Sequence, residues 1–295
     1  MQQGIINEEE SSYKLLSAKK ELIMKIINLI EDTQGHYDCI YEHGLCFYIE
    51  TEKHKMLCDT GATDAFITNA EKLGVDLREV DTVILSHGHY DHTGGVIPFS
   101  NVNNKAKIYM QKTADGNFYN VYGDKHKYIG IDKGILELPQ LRLIDGGYTI
   151  DAEVSMFSNI TGRKYFAKSN LHLKKKIGEQ FFQDDFIHEQ CVVIKCDGKN
   201  ILISGCAHNG ILNILDRYRE IHNDVPDIVI SGFHMVKKGE YEESERQIIK
   251  ATAEELKKYD TIFYSGHCTG AEVFNIMKVI MGNQLREIHC GETII

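Results

Sequence analysis

The run Asp81-Thr82-Val83-Ile84-Leu85-Ser86-His87-Gly88-His89-Tyr90-Asp91-His92-Thr93-Gly94-Gly95 opens as a buried strand and closes as a cluster of metal-ligand side chains. Residues 81–86 form a short β-branched run, the composition of a strand in a covered sheet. The strand delivers His87-Gly88-His89-Tyr90-Asp91-His92 to a sheet edge. Three imidazoles and a carboxylate in six residues are donors suited to zinc, iron or manganese. Gly88 lets the backbone turn tightly enough for the rings on either side to converge. With 14 histidines in 295 residues, chance gives this pattern in on the order of a few chains per thousand. That rarity weighs against the plain alternative, a solvated histidine-rich turn.

Upstream, residues 24–30, 44–50 and 55–59 read as strands and 64–73 as a helix, and 107–111 continue the strand series downstream. A second series follows: strands at 191–196 and 201–204, a helix at 211–221, a strand at 227–231, a helix at 243–259, a strand at 261–265, a helix at 271–281 and a strand at 285–290. Two blocks, each opening with strands and going on to helices, predict an α/β fold with two mixed sheets face to face and helices outside, an αββα sandwich. Residues 1–23, rich in Glu, Ser and Lys without strand pattern, are expected to be an N-terminal extension, helical or disordered, before a main domain at 24–295. Residues 112–187 are rich in Tyr, Lys, Asn and Gly with weak periodicity. So long an irregular stretch in a compact domain is expected to be a lid or small insertion.

The formal net charge of −10 argues against general nucleic-acid binding, which draws on clustered Lys and Arg. Between Lys105 and Lys176, however, 13 Lys/Arg stand against 7 Asp/Glu. Phe118, Tyr119, Tyr122, Tyr128, Tyr165 and Phe166 are interleaved with them, a composition suited to an anionic, aromatic ligand or simply to solvated loops. No apolar stretch reaches the roughly 20 residues of a membrane span, and the first residues are unlike a secretory signal, so a cytoplasmic protein without a membrane partner is expected. The eight cysteines lie mostly in apolar runs, where a thiol behaves as a small hydrophobe, and no disulfide framework is expected.

His87-x-His89-x-Asp91-His92 after a hydrophobic strand resembles the signature of the metallo-β-lactamase superfamily. Cys58-Asp59-Thr60-Gly61 resembles its first motif and Tyr264-Ser265-Gly266-His267 its last, so the likeness spans about residue 24 to the C-terminus. A narrower set joins them: Glu42-His43-Gly44, Ser204-Gly205-Cys206-Ala207-His208-Asn209-Gly210, Gly232-Phe233-His234 and Gly266-His267-Cys268-Thr269-Gly270. Together they resemble a subfamily that includes the 7,8-dihydropterin-6-methyl-4-(β-D-ribofuranosyl)aminobenzene-5′-phosphate synthases of methanopterin biosynthesis.

The resemblance implies two divalent metal ions, zinc first, with iron or manganese as alternatives. It implies His87 and His89 on one metal, and Asp91, His92 and His267 on the other. For the remaining ligand of the first metal two residues compete: His208, which the subfamily pattern favours, and His188, placed where the broad superfamily puts a mid-chain histidine. Cys206 occupies the position of a bridging aspartate in many relatives, as a thiolate ligand or a buried structural thiol. Asp59 is expected beneath the metal loop, orienting ligand imidazoles. His234, at a strand end, and His43 are expected to contact substrate. Such a site implies a metal-dependent hydrolase: a hydroxide activated by the metal pair attacks a small anionic substrate, phosphorylated or pterin-like, with Asp91 orienting the water or taking its proton. The competing expectations are a pterin-pathway synthase and a non-catalytic protein that binds or senses a small ligand. The acidic charge disfavours a nuclease, and histidine at 89 with no flavin module disfavours a flavodiiron oxidoreductase.

Overall fold

Period-two alternation along the strands sorts the apolar side chains into separate cores, and those cores define the layers. The computed structural model describes residues 24–35 and 38–295, so the expectation for 1–23 lies outside the described residues. The first half contributes β1 (Lys25–Ile30), β2 (Cys46–Glu50), β3 (Lys55–Cys58), helix α1 (Ala65–Lys72), β4 (Thr82–Ile84), a short α2 (Tyr90–Thr93), α3 (Val96–Val102) and β5 (Lys107–Gln111). The middle adds β6 (Phe118–Tyr122), β7 (Lys125–Tyr128), β8 (Leu141–Ile144), β9 (Tyr148–Thr149), β10 (Val154–Phe157), β11 (Leu173–Ile177) and β12 (Gln180–Gln183). The last part supplies β13 (Cys191–Cys196), β14 (Lys199–Ser204), α4 (Ile211–His222), β15 (Ile228–Ser231), α5 (Glu243–Leu256), β16 (Ile262–Ser265), α6 (Ala271–Met281) and β17 (Leu285–Glu287).

One sheet has the order β1-β2-β3-β4-β5-β8 and the other β17-β16-β15-β14-β13-β10-β9. Both are mixed: β3, β4, β5 and β8 run parallel in the first, and β14 to β17 in the second. Ile26, Phe47, Ile49 and Met56 of the first sheet meet Val192, Ile194, Ile201 and Ile203 of the second in the central core. Alternate residues face outward. Ile27, Tyr48, Leu57 and Val83 pack with Phe66 of α1 and Phe99 of α3, and Val193, Leu202, Val229 and Phe263 pack with Leu215, Ile249 and Met277 of α4, α5 and α6. The result is helix, sheet, sheet, helix: the αββα sandwich. Full burial of a side chain such as Phe66 or Phe263 contributes roughly 1.5–3 kcal/mol, which holds the outer helices in place.

Residues 112–187 contain seven short strands. β8 returns to the first sheet and β9 and β10 to the second, while β12-β11-β6-β7 forms a third, antiparallel sheet. Phe118, Ile129, Leu173 and Phe186 seat that sheet through a small core of their own. β7 is exposed along its whole length and β12 nearly so, while β6 and β11 are mostly half-buried, so the sheet lacks the fully buried face that would have imposed alternation. Among the described residues no helix is long and apolar enough to cross a membrane.

Candidate metal centre

The loops leaving β3, β4, β14, β15 and β16 converge at the carboxyl ends of the parallel strands, where open α/β sheets gather their ligands. Four of these loops hold a non-glycine residue at positive φ: Asp59 (60°), Ala207 (53°), His234 (45°) and His267 (47°). Such backbone costs on the order of 1–3 kcal/mol per residue and collects where side chains must be aimed.

Asp59 organises the first half of the site. Its carboxylate accepts the Ser86 backbone N–H at 2.7 Å, the Ser86 hydroxyl at 2.7 Å and His92 Nδ1 at 2.7 Å. With the Ser86 proton committed to Asp59, the hydroxyl oxygen accepts from His87 Nδ1, 2.9 Å away. His87 and His92 therefore carry their protons on Nδ1 and present Nε2 lone pairs, that of His92 toward the Cys206 sulfur. On the facing side, His208 Nδ1 donates to Asn170 Oδ1 at 3.0 Å, which leaves its Nε2 as an acceptor as well.

His87 Nε2 and His208 Nε2 lie 3.2 Å apart. Two lone pairs at that distance repel unless a proton or a cation stands between them. Burial, with neighbouring imidazoles, drives both histidines well below the ordinary histidine pKa, so a proton is not held there. Burial likewise lowers His89 to about 3, and its Nε2 is buried without a hydrogen-bond partner. Ligand atoms of His87, His89 and His208 all lie within 4.8 Å of one another. This donor set fits a divalent metal.

The second group centres on Asp91. One of its oxygens lies 3.6 Å from His92 Nε2, 3.5 Å from His267 Nε2 and 3.4 Å from His43 Nε2. Burial would raise the Asp91 carboxyl, but His92, His267 and His43 outweigh it and hold the group well below the usual carboxylate range. His267 Nε2 is buried with no hydrogen-bond partner. Its Nδ1 donates to Asp32 Oδ1 at 2.6 Å, and Asp32 Oδ2 takes His43 Nδ1 at 2.8 Å. Burial alone would lower His267; the hydrogen bond to Asp32 and the neighbouring Asp91 carboxylate instead raise it. The Cys206 sulfur lies 3.1 Å from His92 Nε2, between the two groups.

His188 is in a different position. Its Nδ1 accepts the Gly88 backbone N–H at 3.1 Å and its Nε2 meets Asp184 at 3.2 Å, so neither ring nitrogen is left for a metal. It buttresses the loop from behind. The next two residues do the same: Glu189 accepts the His208 and Asn209 backbone N–H groups at 2.6 and 3.0 Å, and Gln190 donates to the carbonyls of Ser86 and Leu85. Asp32, Asn170 and Glu189 escape the sequence reading. Asp32 follows a buried strand and Glu189 precedes one, the weak signals a sequence offers, while Asn170 sits in a stretch without pattern.

A cavity of about 1200 Å³ opens over the centre, with His89, Asp91, His208, His234 and His267 among its lining residues and Lys125, Lys127 and Lys168 along its side. His43 and His234 both reach it, His43 with its side chain half exposed. Lys174, Lys175 and Lys176, the densest basic run, do not line it: they pair with Gln183, Asp185 and Glu179. The cavity's cations come from β7, from the turn before β11 and, as Lys237 and Lys238, from the loop after β15 instead.

The metallo-β-lactamase superfamily model matches residues 41–158. A 7,8-dihydropterin-6-methyl-4-(β-D-ribofuranosyl)-aminobenzene-5′-phosphate synthase of Methanocaldococcus jannaschii is 27% identical, over 92% of this chain and 96% of its own. An uncharacterized protein of the same organism is 26% identical, over 91% of this chain and 99% of its own. The crystal structure of a metal-dependent hydrolase of the β-lactamase superfamily superposes with a TM-score of 0.76 at 26% identity, covering 92% of this chain and 99% of that one. By its sequence motifs and these matches the chain is similar to proteins of the metallo-β-lactamase superfamily, and it has their fold.

Proposed function

We propose that the chain is a metal-dependent hydrolase with a binuclear centre, acting on a small anionic substrate. The observation that carries this reading is the 3.2 Å approach of two unprotonated imidazole nitrogens, His87 Nε2 and His208 Nε2, in a fully buried setting. His87, His89 and His208 would hold one metal ion; Asp91, His92 and His267 would hold the other, zinc being the first candidate and iron or manganese the alternatives. When bound, the pair would supply an activated water and an electrostatic clamp on the electrophile's oxygen.

The chain's own residues prepare that chemistry. Asp59, Ser86, Asn170 and Asp32 fix the tautomers of His92, His87, His208 and His267, so each ring presents one defined nitrogen. Asp91, ionised and open to the cavity, can orient a water and accept its proton. His43 lies 3.4 Å from Asp91 with its other nitrogen on Asp32, a path by which that proton can move outward. Lys125 and Lys127, on the cavity side, favour an anionic substrate in a chain whose overall charge is −10.

The relative from Methanocaldococcus jannaschii supports a second reading, a pterin-pathway synthase, because it matches this chain nearly end to end. One experiment separates the two. The protein is stripped, reloaded with Zn²⁺, Fe²⁺ or Mn²⁺, analysed for metal, and then offered phosphomonoesters, phosphodiesters, lactones and pterin phosphates. The hydrolase reading expects at least two metal ions per chain and release of a water-cleaved product. Less than about one metal ion per chain would sink the binuclear centre, and bond formation between two pterin-pathway substrates without hydrolysis would replace the hydrolase by the synthase.

A further inference from the structure

Five of the eight free cysteines fall into two kinds. Cys46, Cys58 and Cys191 pack inside the apolar cores, as a thiol used for its volume does. Cys206 and Cys268 belong to none of those cores; both are buried, yet both line the cavity among imidazoles. The metal pair proposed above uses neither Cys268 nor His234.

The Cys206 sulfur lies 3.1 Å from His92 Nε2. The ligand atoms of Cys206, His267 and Cys268 lie within 4.8 Å of one another, and so do those of Cys206, His208 and His234. The His234 backbone N–H donates to Cys268 Sγ at 3.3 Å, and the ring's Nδ1 is buried with no hydrogen-bond partner. The backbone makes room for this arrangement. A Cβ at Gly232 would stand 2.5 Å from Cys268 Sγ, and His234 holds a φ of 45° that an L-residue rarely adopts.

We infer that Cys206, Cys268 and His234 form a third, sulfur-rich cation position beside the histidine centre, which takes a thiophilic divalent cation such as Zn²⁺. Two sulfurs and one imidazole are a soft donor set that selects zinc or ferrous iron over magnesium, calcium or manganese. Binding displaces the two thiol protons to solvent, and nothing is oxidised. Three protein donors leave a fourth position open toward the cavity. This site adjoins the proposed binuclear centre and rests on it for the assignment of its neighbours.

The test is a titration of the full chain, made metal-free and kept reduced with a phosphine, using Co²⁺ alone. Three ions per chain are expected, with a thiolate-to-cobalt charge-transfer band in the near ultraviolet. Cys268→Ser and His234→Ala should each bind two, with the band reduced by about half or more. Saturation of the parent at two ions overturns the third site, whether or not a band is present, because sulfur then serves only within the pair. Retention of three ions by both variants overturns it as well. The binuclear reading fails separately: in that case His87→Ala and His208→Ala leave the metal content of the parent unchanged.

Discussion

The two halves of the sandwich supply the centre in opposite ways. The first gives His87, His89, Asp91 and His92 from a single turn after β4, so chain continuity alone brings them together. The second gives Cys206 and His208 after β14, His234 after β15, and His267 and Cys268 after β16, one short loop per strand. These donors meet only because the strands run parallel and in register, Ile203 beside Ile230 and Ile230 beside Tyr264. A contiguous cluster tolerates small shifts in the sheet. A dispersed one transmits them directly to the site.

The largest expected effect comes from removing a donor of the dispersed half. His208→Ala leaves His87 Nε2 facing nothing and should remove about one metal ion per chain, with a fall in kcat of at least about a hundredfold. His188→Ala should keep the full metal content, because that ring is spent on Gly88 and Asp184, and should cost about 1–3 kcal/mol in stability through the lost buried hydrogen bonds. Elemental analysis and denaturant melts distinguish the two, and a loss of metal in His188→Ala with none in His208→Ala would reverse the assignment.

Acid should weaken both halves together in the metal-free protein. His89 is neutral in the fold down to about 3, whereas in the unfolded chain it protonates near the ordinary value of about 6.5. The unfolded state thus holds more protons across that interval, and stability falls as pH falls, by about 1.4 kcal/mol per pH unit for this residue. His87 and His208, lowered by burial, act in the same direction. His267, raised above 6.5, acts the other way near the top of the range. Folded, it keeps a proton that the unfolded chain takes up only near about 6.5, so its contribution grows as pH falls from 7 and is complete about one unit below that value. The decline therefore shows most clearly in the lower part of the range. Thermal melts from pH 7 to pH 4.5 should show the decline, shallower in His208→Gln. An unchanged slope in that variant would mean that the dispersed half does not bury its histidine.

How much of this was legible in the sequence follows the same division. The strand that leads into the cluster and most of the strand and helix series on either side follow from periodicity and spacing, with small errors at ends such as the helix that stops at Leu256 rather than 259. Helix α3 is not foreseen, and Asp59 beneath the loop comes from the family resemblance rather than from periodicity. His208 and His188 could not be separated from sequence, since the choice depends on which ring nitrogens are already occupied. No motif singles out Asp32; only the fold shows it holding both His43 and His267. The third sheet was invisible because half-buried and exposed strands rich in Lys and Tyr need no alternation.

Gly205 marks where the halves touch, and it offers a sharper, smaller perturbation. A Cβ there would stand 2.2 Å from Ser86 Oγ and 3.2 Å from Asp59 Oδ2. Gly205→Ala should therefore displace the hydrogen bonds that orient His87 and His92 from outside the contiguous cluster. The expected cost is about 1–3 kcal/mol in stability and about 10–100-fold in metal affinity. Wild-type affinity in a folded Gly205→Ala protein would show that the cluster is indifferent to its neighbour after all.

The smallest effect concerns the third sheet, which touches the cavity without supplying donors to the centre. Lys125 stands exposed on the cavity side, and Lys127 reaches the Tyr90 hydroxyl at 3.2 Å, next to Asp91 in sequence. Exposed charges contribute little each, about 0.2–1 kcal/mol, so Lys125→Ala with Lys127→Ala should raise KM for a phosphorylated substrate by about three- to tenfold. Metal content and kcat should stay near wild type, and the effect should shrink as salt rises. Neutralising Lys174, Lys175 and Lys176, whose partners lie elsewhere, should leave KM where it was. If that triple change raises KM and the pair does not, substrate approaches over the far side of the sheet, and specificity then resides in β11 and β12 instead of β7.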